Sequence, residues 1–279
     1  MKHNCVICKA NIKRNNDFSF KCRNCGFYFS DLKPGFGQDV VGIENLRRKN
    51  FRKLIKTILN KMSNPEILEI GSGDGFFVEE CIKEGISITG SEASINSLKR
   101  LRSKFKIKFL KLCLPESIKT KTKDVFDIVV FNDVFEHLQG LDNVIIQVKK
   151  VLKKDGLIIL NLPSSDGIIF RLSEIMMKMG FKRFYNRLWQ KEMSSPHLSY
   201  FNRKNLKKLF IKHKLNEIQY GHLNTVDIKN FRRFINLFKS LPLALLFTFL
   251  CFIFFIFQKI LPKDIIFVFF QNSANENKK

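Results

Sequence analysis

Residues 66–77 read EILEIGSGDGFF, a short apolar run that passes directly into glycines at alternate positions, Gly71, Gly73 and Gly75. Few contexts need that pattern. A strand turning sharply into a helix is one, and glycine there lets the backbone approach a ligand closely. The surrounding chain supports that reading. Strand-like runs at 66–70, 86–91, 106–112, 126–131 and 157–162 alternate with helical periodicity at about 74–84, 94–103 and 142–153. Upstream, Phe51, Leu54, Ile55, Ile58, Leu59 and Met62 form one apolar helical stripe. The alternation predicts an α/β fold: a doubly wound, Rossmann-like, mostly parallel sheet of seven strands. Runs at 215–222 and 264–271 complete it, the last strand antiparallel. Such sheets bind ligands beyond the C-terminal ends of their strands. The residues to watch are therefore Gly71, Ser72, Gly73 and Gly75, then Glu92, then the stretch after Phe131.

Glu92 follows the second strand about 20 residues after the glycines, where a carboxylate accepts hydrogen bonds from two ribose hydroxyls. Loop and acid together fit a dinucleotide or S-adenosylmethionine. Glu69, two residues before Gly71, places negative charge where a pyrophosphate would be repelled and a sulfonium or ammonium attracted. The alternative for Glu69 is a solvated residue at a strand end.

Four stretches, ILEIGSGDG, ITGSEAS, FDIVVFNDVFEHLQG and VLKKDGLIILNLPS, occur in that order. With the later PHLSYFNRKNLKKLF they resemble the class I S-adenosylmethionine-dependent methyltransferases, in particular the ubiquinone-biosynthesis O-methyltransferases and their relatives in surface-polysaccharide gene clusters. The resemblance covers about residues 40–270. It implies a Gly71–Gly75 loop around the methionine moiety, Glu92 on the ribose, and Asn132 and Asp133 lining the cofactor. The family often places an Asp after the third strand to hold the adenine amine. Here LKLCLPES offers no acid before Glu116, which leaves backbone atoms for that task.

Transfer of an activated methyl group rests largely on proximity, and a base is required only for a protonated acceptor such as a hydroxyl. His137 in DVFEHL is the candidate base and Glu136 its orienting partner. In the related quinone-pathway enzymes this motif is associated with a divalent metal, which would carry over as Asp133, Glu136 and His137. A purely structural role for Glu136 and His137 is the alternative. His197 and Tyr200 are further pocket candidates, and the basic, aromatic stretch 176–191 is a candidate lid or an ordinary amphipathic helix.

The N-terminal 30 residues carry a separate signature. Cys5-Val-Ile-Cys8 and Cys22-Arg-Asn-Cys25 stand 13 residues apart, two CxxC knuckles that place four thiolates around one structural Zn²⁺. Such a ribbon folds because it binds metal. Residues 31–39 read as a linker to the domain at 40–279. The odd cysteine count and the absence of an apolar leader in MKHNCVICKA point to a reducing compartment. Cys81, Cys113 and Cys251 read as small core residues.

The net charge of +24 favours polyanionic partners, either nucleic acid or an anionic membrane surface, although the basic residues are spread over the whole length as in AT-rich coding. Residues 240–258 contain no charge. As a helix they would measure about 28 Å, just short of a bilayer core. Because 264–271 must rejoin the sheet, a hydrophobic insertion at about 226–260 that dips into one leaflet fits better than a span. Its neighbour, with Phe231, Phe234, Ile235 and Phe238 beside Lys229, Arg232 and Arg233, has the composition of an interfacial helix. The alternatives are one true span or a buried core helix. Two functions follow. One is a methyltransferase on the cytoplasmic face of a membrane, acting on a small-molecule, glycan or lipid-linked acceptor, with O-methylation of a lipid-linked sugar, surface-glycan unit or prenylated ring expected. The other is a zinc-module rRNA methyltransferase.

Overall fold

The computed structural model describes residues 4–37, 44–116, 118, 125–225 and 260–272, with positions 242, 245, 249 and 256 between the last two ranges. Its main sheet contains β4 (Ile67–Ile70), β5 (Ile88–Glu92), β6 (Phe109–Lys111), β7 (Phe126–Asn132), β8 (Leu152–Pro163), β10 (Leu215–Leu223) and β11 (Ile265–Asn272). The spatial order is β10-β11-β8-β7-β4-β5-β6. Pairing is parallel from β8 to β6, while β11 runs antiparallel between β8 and β10. This is the seven-stranded, mostly parallel sheet with an antiparallel last strand that the pattern predicts.

Strands covered on both faces must be apolar on both. In β7, Val129 and Phe131 pack with α4 (Leu141–Lys149) and α7 (Arg203–Ile211). The alternate residues Ile128 and Val130 pack with α1 (Glu44–Leu59), α2 (Phe76–Lys83) and α3 (Ile95–Lys104). The predicted stripe on α1 faces this second core, with Phe51, Leu54, Ile55 and Ile58 buried. α3 starts where the Ser94 side chain accepts from the Ser97 amide, and α7 where Asn202 and Asn205 exchange side chain-to-backbone bonds.

A second sheet joins β1 (Ile12–Arg14), β2 (Ser19–Cys22) and β3 (Tyr28–Ser30) to β9 (Ser199–Tyr200), in that order. Three of its strands are N-terminal and the fourth comes from the segment leading into α7. The chain after β3 stays close: the Gly35 amide donates to the Met193 carbonyl at 2.7 Å and Gly37 to Glu192 at 2.8 Å. Beside this sheet α5 (Ile168–Lys178) and α6 (Lys182–Leu188) close a small aromatic core of Phe18, Tyr28, Phe170, Tyr185, Trp189 and Tyr200.

Three expectations need correction. The stretch 176–191 is no loose lid, because Tyr185 and Trp189 are both completely buried in that core. The helix expected over 142–153 ends at Lys149, since the amides of Val125 and Phe126 both donate to the Val151 carbonyl and draw the chain into β8. Cys81 is buried as expected, whereas Cys113 is exposed, on the loop after the short β6. Among the described residues no helix is long and apolar enough to cross a membrane. Most of the 226–260 insertion, including Cys251, lies outside the described residues.

Candidate active site

The glycine loop sits at the C-terminal end of β4, flanked by β5 and β7 through the registers Ile70↔Ser91 and Ile70↔Phe131. Gly71 and Gly73 both have positive φ, 71° and 54°. A Cβ on Gly71 would lie 2.7 Å from a Val134 methyl, whereas one on Gly73 would point into open space. The first glycine is thus required by packing and by φ. The second leaves an open face at the position where a ligand would lie on the backbone. Glu92, the last residue of β5, accepts from the Gly73 amide at 2.6 Å and from Ala93 at 3.2 Å. Its carboxylate is therefore already fixed against the loop. Ser72 is buried and its hydroxyl accepts from the Ser91 amide.

Glu69 is not the solvated alternative. It is buried, and burial pushes its carboxyl up to about 7 despite a 2.9 Å bond from the Asn132 amide to Oε1. Its Oε2 has no hydrogen-bond partner among the described residues. Asn132 in turn accepts from Asn161 on β8 at 3.2 Å. Asn161 was not anticipated, although a single polar residue inside the apolar run LIILNLP is a signal that could have found it. Asp133 follows at φ 53°, its amide donating to the Asn161 carbonyl and its carboxylate 3.8 Å from Arg47 Nε. Asp133, Asn161, Arg47 and Asn50 border a small cavity of about 50 Å³ under α1.

A second cluster lies one turn further on. The residues after Asp133 form a 3₁₀ turn, Phe135–His137. Glu136 is completely buried, and neither carboxylate oxygen has a hydrogen-bond partner among the described residues. Burial and the nearby Asp133 carboxylate push its carboxyl well above the usual range. His137 Nδ1 lies 2.9 Å from the Pro196 carbonyl, so this nitrogen carries the proton and Nε2, 4.0 Å from Glu136, carries the lone pair. His197, also buried, stacks edge-on against His137 with centroids 4.7 Å apart. The Tyr200 hydroxyl donates to the Leu188 carbonyl at 2.8 Å and accepts from His197 Nδ1 at 3.1 Å, which leaves His197 Nε2 to accept from Gln190. Burial and His137 hold this imidazole well below its ordinary pKa, and hence neutral.

One carboxylate oxygen and two imidazole nitrogens thus converge within 4.8 Å, each imidazole braced at its other nitrogen, which is how metal-binding histidines are commonly supported. Asp133, expected in this set, is instead turned toward Arg47, and His197 takes the third place. The four predicted zinc ligands Cys5, Cys8, Cys22 and Cys25 also come together, their sulfurs all within 4.8 Å and two pairs at 3.4 and 3.6 Å. Tetrahedral ZnS₄ has sulfur–sulfur edges of about 3.8 Å, so the set fits. A larger cleft, about 570 Å³, opens between this module and the 138–143 turn, bordered by Phe27, Phe29, Leu138, Asn143 and Leu198.

Residues 43–219 match the family model of the methyltransferase domain, and the chain belongs to that family. By family and fold it is a class I S-adenosylmethionine-dependent methyltransferase. Among curated proteins it is 31% identical over 114 residues to a ubiquinone biosynthesis O-methyltransferase of Pelagibacter ubique, covering 39% of this chain and 45% of that one. The protein of the same description from Rickettsia typhi is 23% identical over 124 residues, covering 43% and 49%. The chain thus spans about half the length of these relatives. Its fold is shared with a solved SAM-dependent methyltransferase of Archaeoglobus fulgidus (TM-score 0.52, 15% identity, 82% of this chain and 97% of that one). It is shared too with one from Mesorhizobium loti (TM-score 0.50, 13% identity, 78% and 96%).

Proposed function

We propose that this protein transfers a methyl group from S-adenosylmethionine to a hydroxyl oxygen of a small-molecule acceptor. One observation carries the oxygen assignment: the buried Glu136–His137–His197 cluster, in which His137 Nδ1 is held by the Pro196 carbonyl and Nε2 keeps its lone pair beside Glu136. When bound, S-adenosylmethionine supplies a methyl carbon activated by its sulfonium. Gly71, Ser72, Gly73 and Gly75 supply the backbone cradle for it and Glu92 the ribose acceptor. Glu69, with Asn132 and Asn161 behind it, supplies negative charge toward the cationic end. Asn132 and Asp133, at the end of β7, would line the cofactor.

His137 Nε2 takes the acceptor proton, while the Pro196 carbonyl holds the ring by Nδ1. Alternatively Glu136, His137 and His197 hold a divalent cation, for which they are a fitting donor set. Such a cation would lower the pKa of an acceptor hydroxyl. Cys5, Cys8, Cys22 and Cys25 hold structural Zn²⁺. The likeness to ubiquinone biosynthesis O-methyltransferases supports a ring hydroxyl as the acceptor class. The uncharged 240–258 segment and the +24 charge support an acceptor met at an anionic membrane surface, such as a prenylated ring, a lipid-linked sugar or a surface-glycan unit.

The test is transfer of labelled methyl from the cofactor to separated lipid, glycan and RNA fractions, followed by identification of the methylated atom. Label on a lipid or glycan oxygen, lost in His137→Ala, is expected. Label confined to RNA would replace this reading with the rRNA one.

A further inference from the structure

The four-cysteine module and the Glu136–His137–His197 cluster are far apart in sequence, but the backbone joins them. β9, the strand that closes the N-terminal sheet, begins two residues after His197 and contains Tyr200, the residue that braces the His197 ring. Its partner is β3, which starts three residues after Cys25, and the register sets Phe29 opposite Ser199 and Tyr28 opposite Tyr200. Ser30 ends that pairing. Its amide donates to the Leu198 carbonyl at 2.9 Å, and its buried hydroxyl donates to the His197 carbonyl at 2.8 Å. The other side of the same segment reaches Glu136, because the Leu198 amide donates to the Glu136 carbonyl at 2.9 Å. Two of the three cluster residues are therefore held, through main-chain carbonyls, by the 197–200 segment and its partner β3.

Side-chain packing runs the same way. Phe27 lies 5.2 Å from Phe201, and Phe201 5.5 Å from Phe135, the residue before Glu136. The Asn205 side chain, part of the α7 cap, donates to the Cys25 carbonyl at 3.4 Å. On the opposite edge Lys212 Nζ donates to the Val6 carbonyl, inside the first knuckle, at 2.7 Å. On the cofactor side the bonds are local instead: Glu92 accepts from the Gly73 amide, Ser72 from the Ser91 amide, and Glu69 from the Ser91 hydroxyl and the Asn132 amide.

We infer that the four-cysteine module is a positioning element of the acceptor side of the site: through β3, and Ser30 in particular, it sets the placement of His197 and Glu136, while the cofactor side is independent of it. This rests on the methyl-transfer reading for its consequence, though not for its measurement. The Ser30 hydroxyl bonds to no cluster side chain and reaches the cluster through the His197 carbonyl that it holds.

The experiment uses the full-length, zinc-loaded chain labelled with ¹⁵N-histidine, as wild type, Ser30→Ala and Ser30→Thr. Ring ¹⁵N spectra report tautomer and environment, and calorimetry reports S-adenosylmethionine affinity. In Ser30→Ala the His197 and His137 ring signals shift while His213, bonded to Asp142 at 2.7 Å elsewhere, keeps its own. Cofactor affinity stays within about twofold, and turnover on any acceptor found falls about fivefold to tenfold, the scale of one lost buried hydrogen bond. Ser30→Thr, which keeps the hydroxyl, restores the ring signals. Unchanged His197 and His137 signals in Ser30→Ala overturn the inference. So does a cofactor affinity that falls in parallel with turnover, since the module would then act only on general stability. Because the ring signals need no acceptor, they read the inference even if the oxygen-methylation reading fails.

Discussion

The two halves of the proposed site, one for the cofactor and one for the acceptor, are built in different ways. The cofactor half comes almost entirely from one continuous run, Glu69–Gly75, plus single residues at the ends of the adjoining strands, Glu92, Asn132 and Asn161. Its geometry follows from left-handed glycines at a strand-to-helix turn. The acceptor half is assembled from three segments far apart in sequence: the N-terminal module, the 3₁₀ turn after β7, and residues 185–205. Its geometry follows from tertiary pairing, and no local rule specifies it. A site made locally is hard to disturb from a distance. One made by assembly responds to changes many residues away.

That contrast can be broken by substitution. The largest effect is expected at Gly73, where Gly73→Arg puts a long cation at φ 54° into the open face of the loop and should weaken S-adenosylmethionine binding at least about 100-fold by calorimetry. Retained affinity would mean that the cofactor does not lie on this face. Next is Trp189→Ala, which empties a fully buried site in the aromatic core beneath β9. A loss of about 3–5 kcal/mol in denaturant unfolding is expected, with turnover falling more than cofactor affinity in the fraction that stays folded. Equal losses of the two would erase the distinction between the halves.

A smaller effect sharpens the comparison through pH. The Glu69 carboxyl rises from 4.5 to about 7 on folding because it is buried. Its folded pKa is the higher one, so across roughly pH 4.5 to 7 the unfolded chain ionises first and this group withdraws stability as pH rises. A cationic ligand beside it favours the carboxylate and reverses the shift. Binding of S-adenosylmethionine near pH 6 should therefore release close to one proton, visible as a dependence of binding heat on buffer ionisation enthalpy, and Glu69→Gln should abolish that release. No proton release in the wild type would place the sulfonium and ammonium away from Glu69. At the bottom of the scale, Cys113→Ser on the exposed loop after β6 should change unfolding free energy by less than about 0.5 kcal/mol and leave both halves intact.

The same contrast explains what the amino-acid pattern reveals. Sheet, glycine loop, Glu92 and cysteine quartet are all legible, because each depends on spacing along the chain: alternation of apolar runs, glycines at turns, CxxC pairs. The direction of β11 is legible for a related reason, since its apolar run must fill a sheet begun earlier. The exchange of Asp133 for His197 in the three-residue cluster is not legible. It depends on Arg47 attracting one carboxylate and on β3 capturing the segment beside the other imidazole. Nor could spacing show that 176–191 packs as a wedge, because Tyr185 and Trp189 are aromatic in a lid or in a core, and only Phe18 and Tyr28, from the distant N-terminal sheet region, decide it. For 240–258 the sequence supplies composition, and most of that segment lies outside the described residues.

The place of β11 bears on how the chain is made. β11, the last of the seven described strands of this sheet to be synthesised, does not join its edge; it enters between β8 and β10, both of which precede it by more than forty residues. Until residue 272 has left the ribosome, each of those strands exposes a row of backbone donors and acceptors that only β11 can satisfy. The nascent chain must carry two open strand edges through the synthesis of its most hydrophobic stretch, residues 240–258. Closure of the sheet therefore waits for β11, and a chain that stops short of Ile265 would leave β8 and β10 without the strand that joins them.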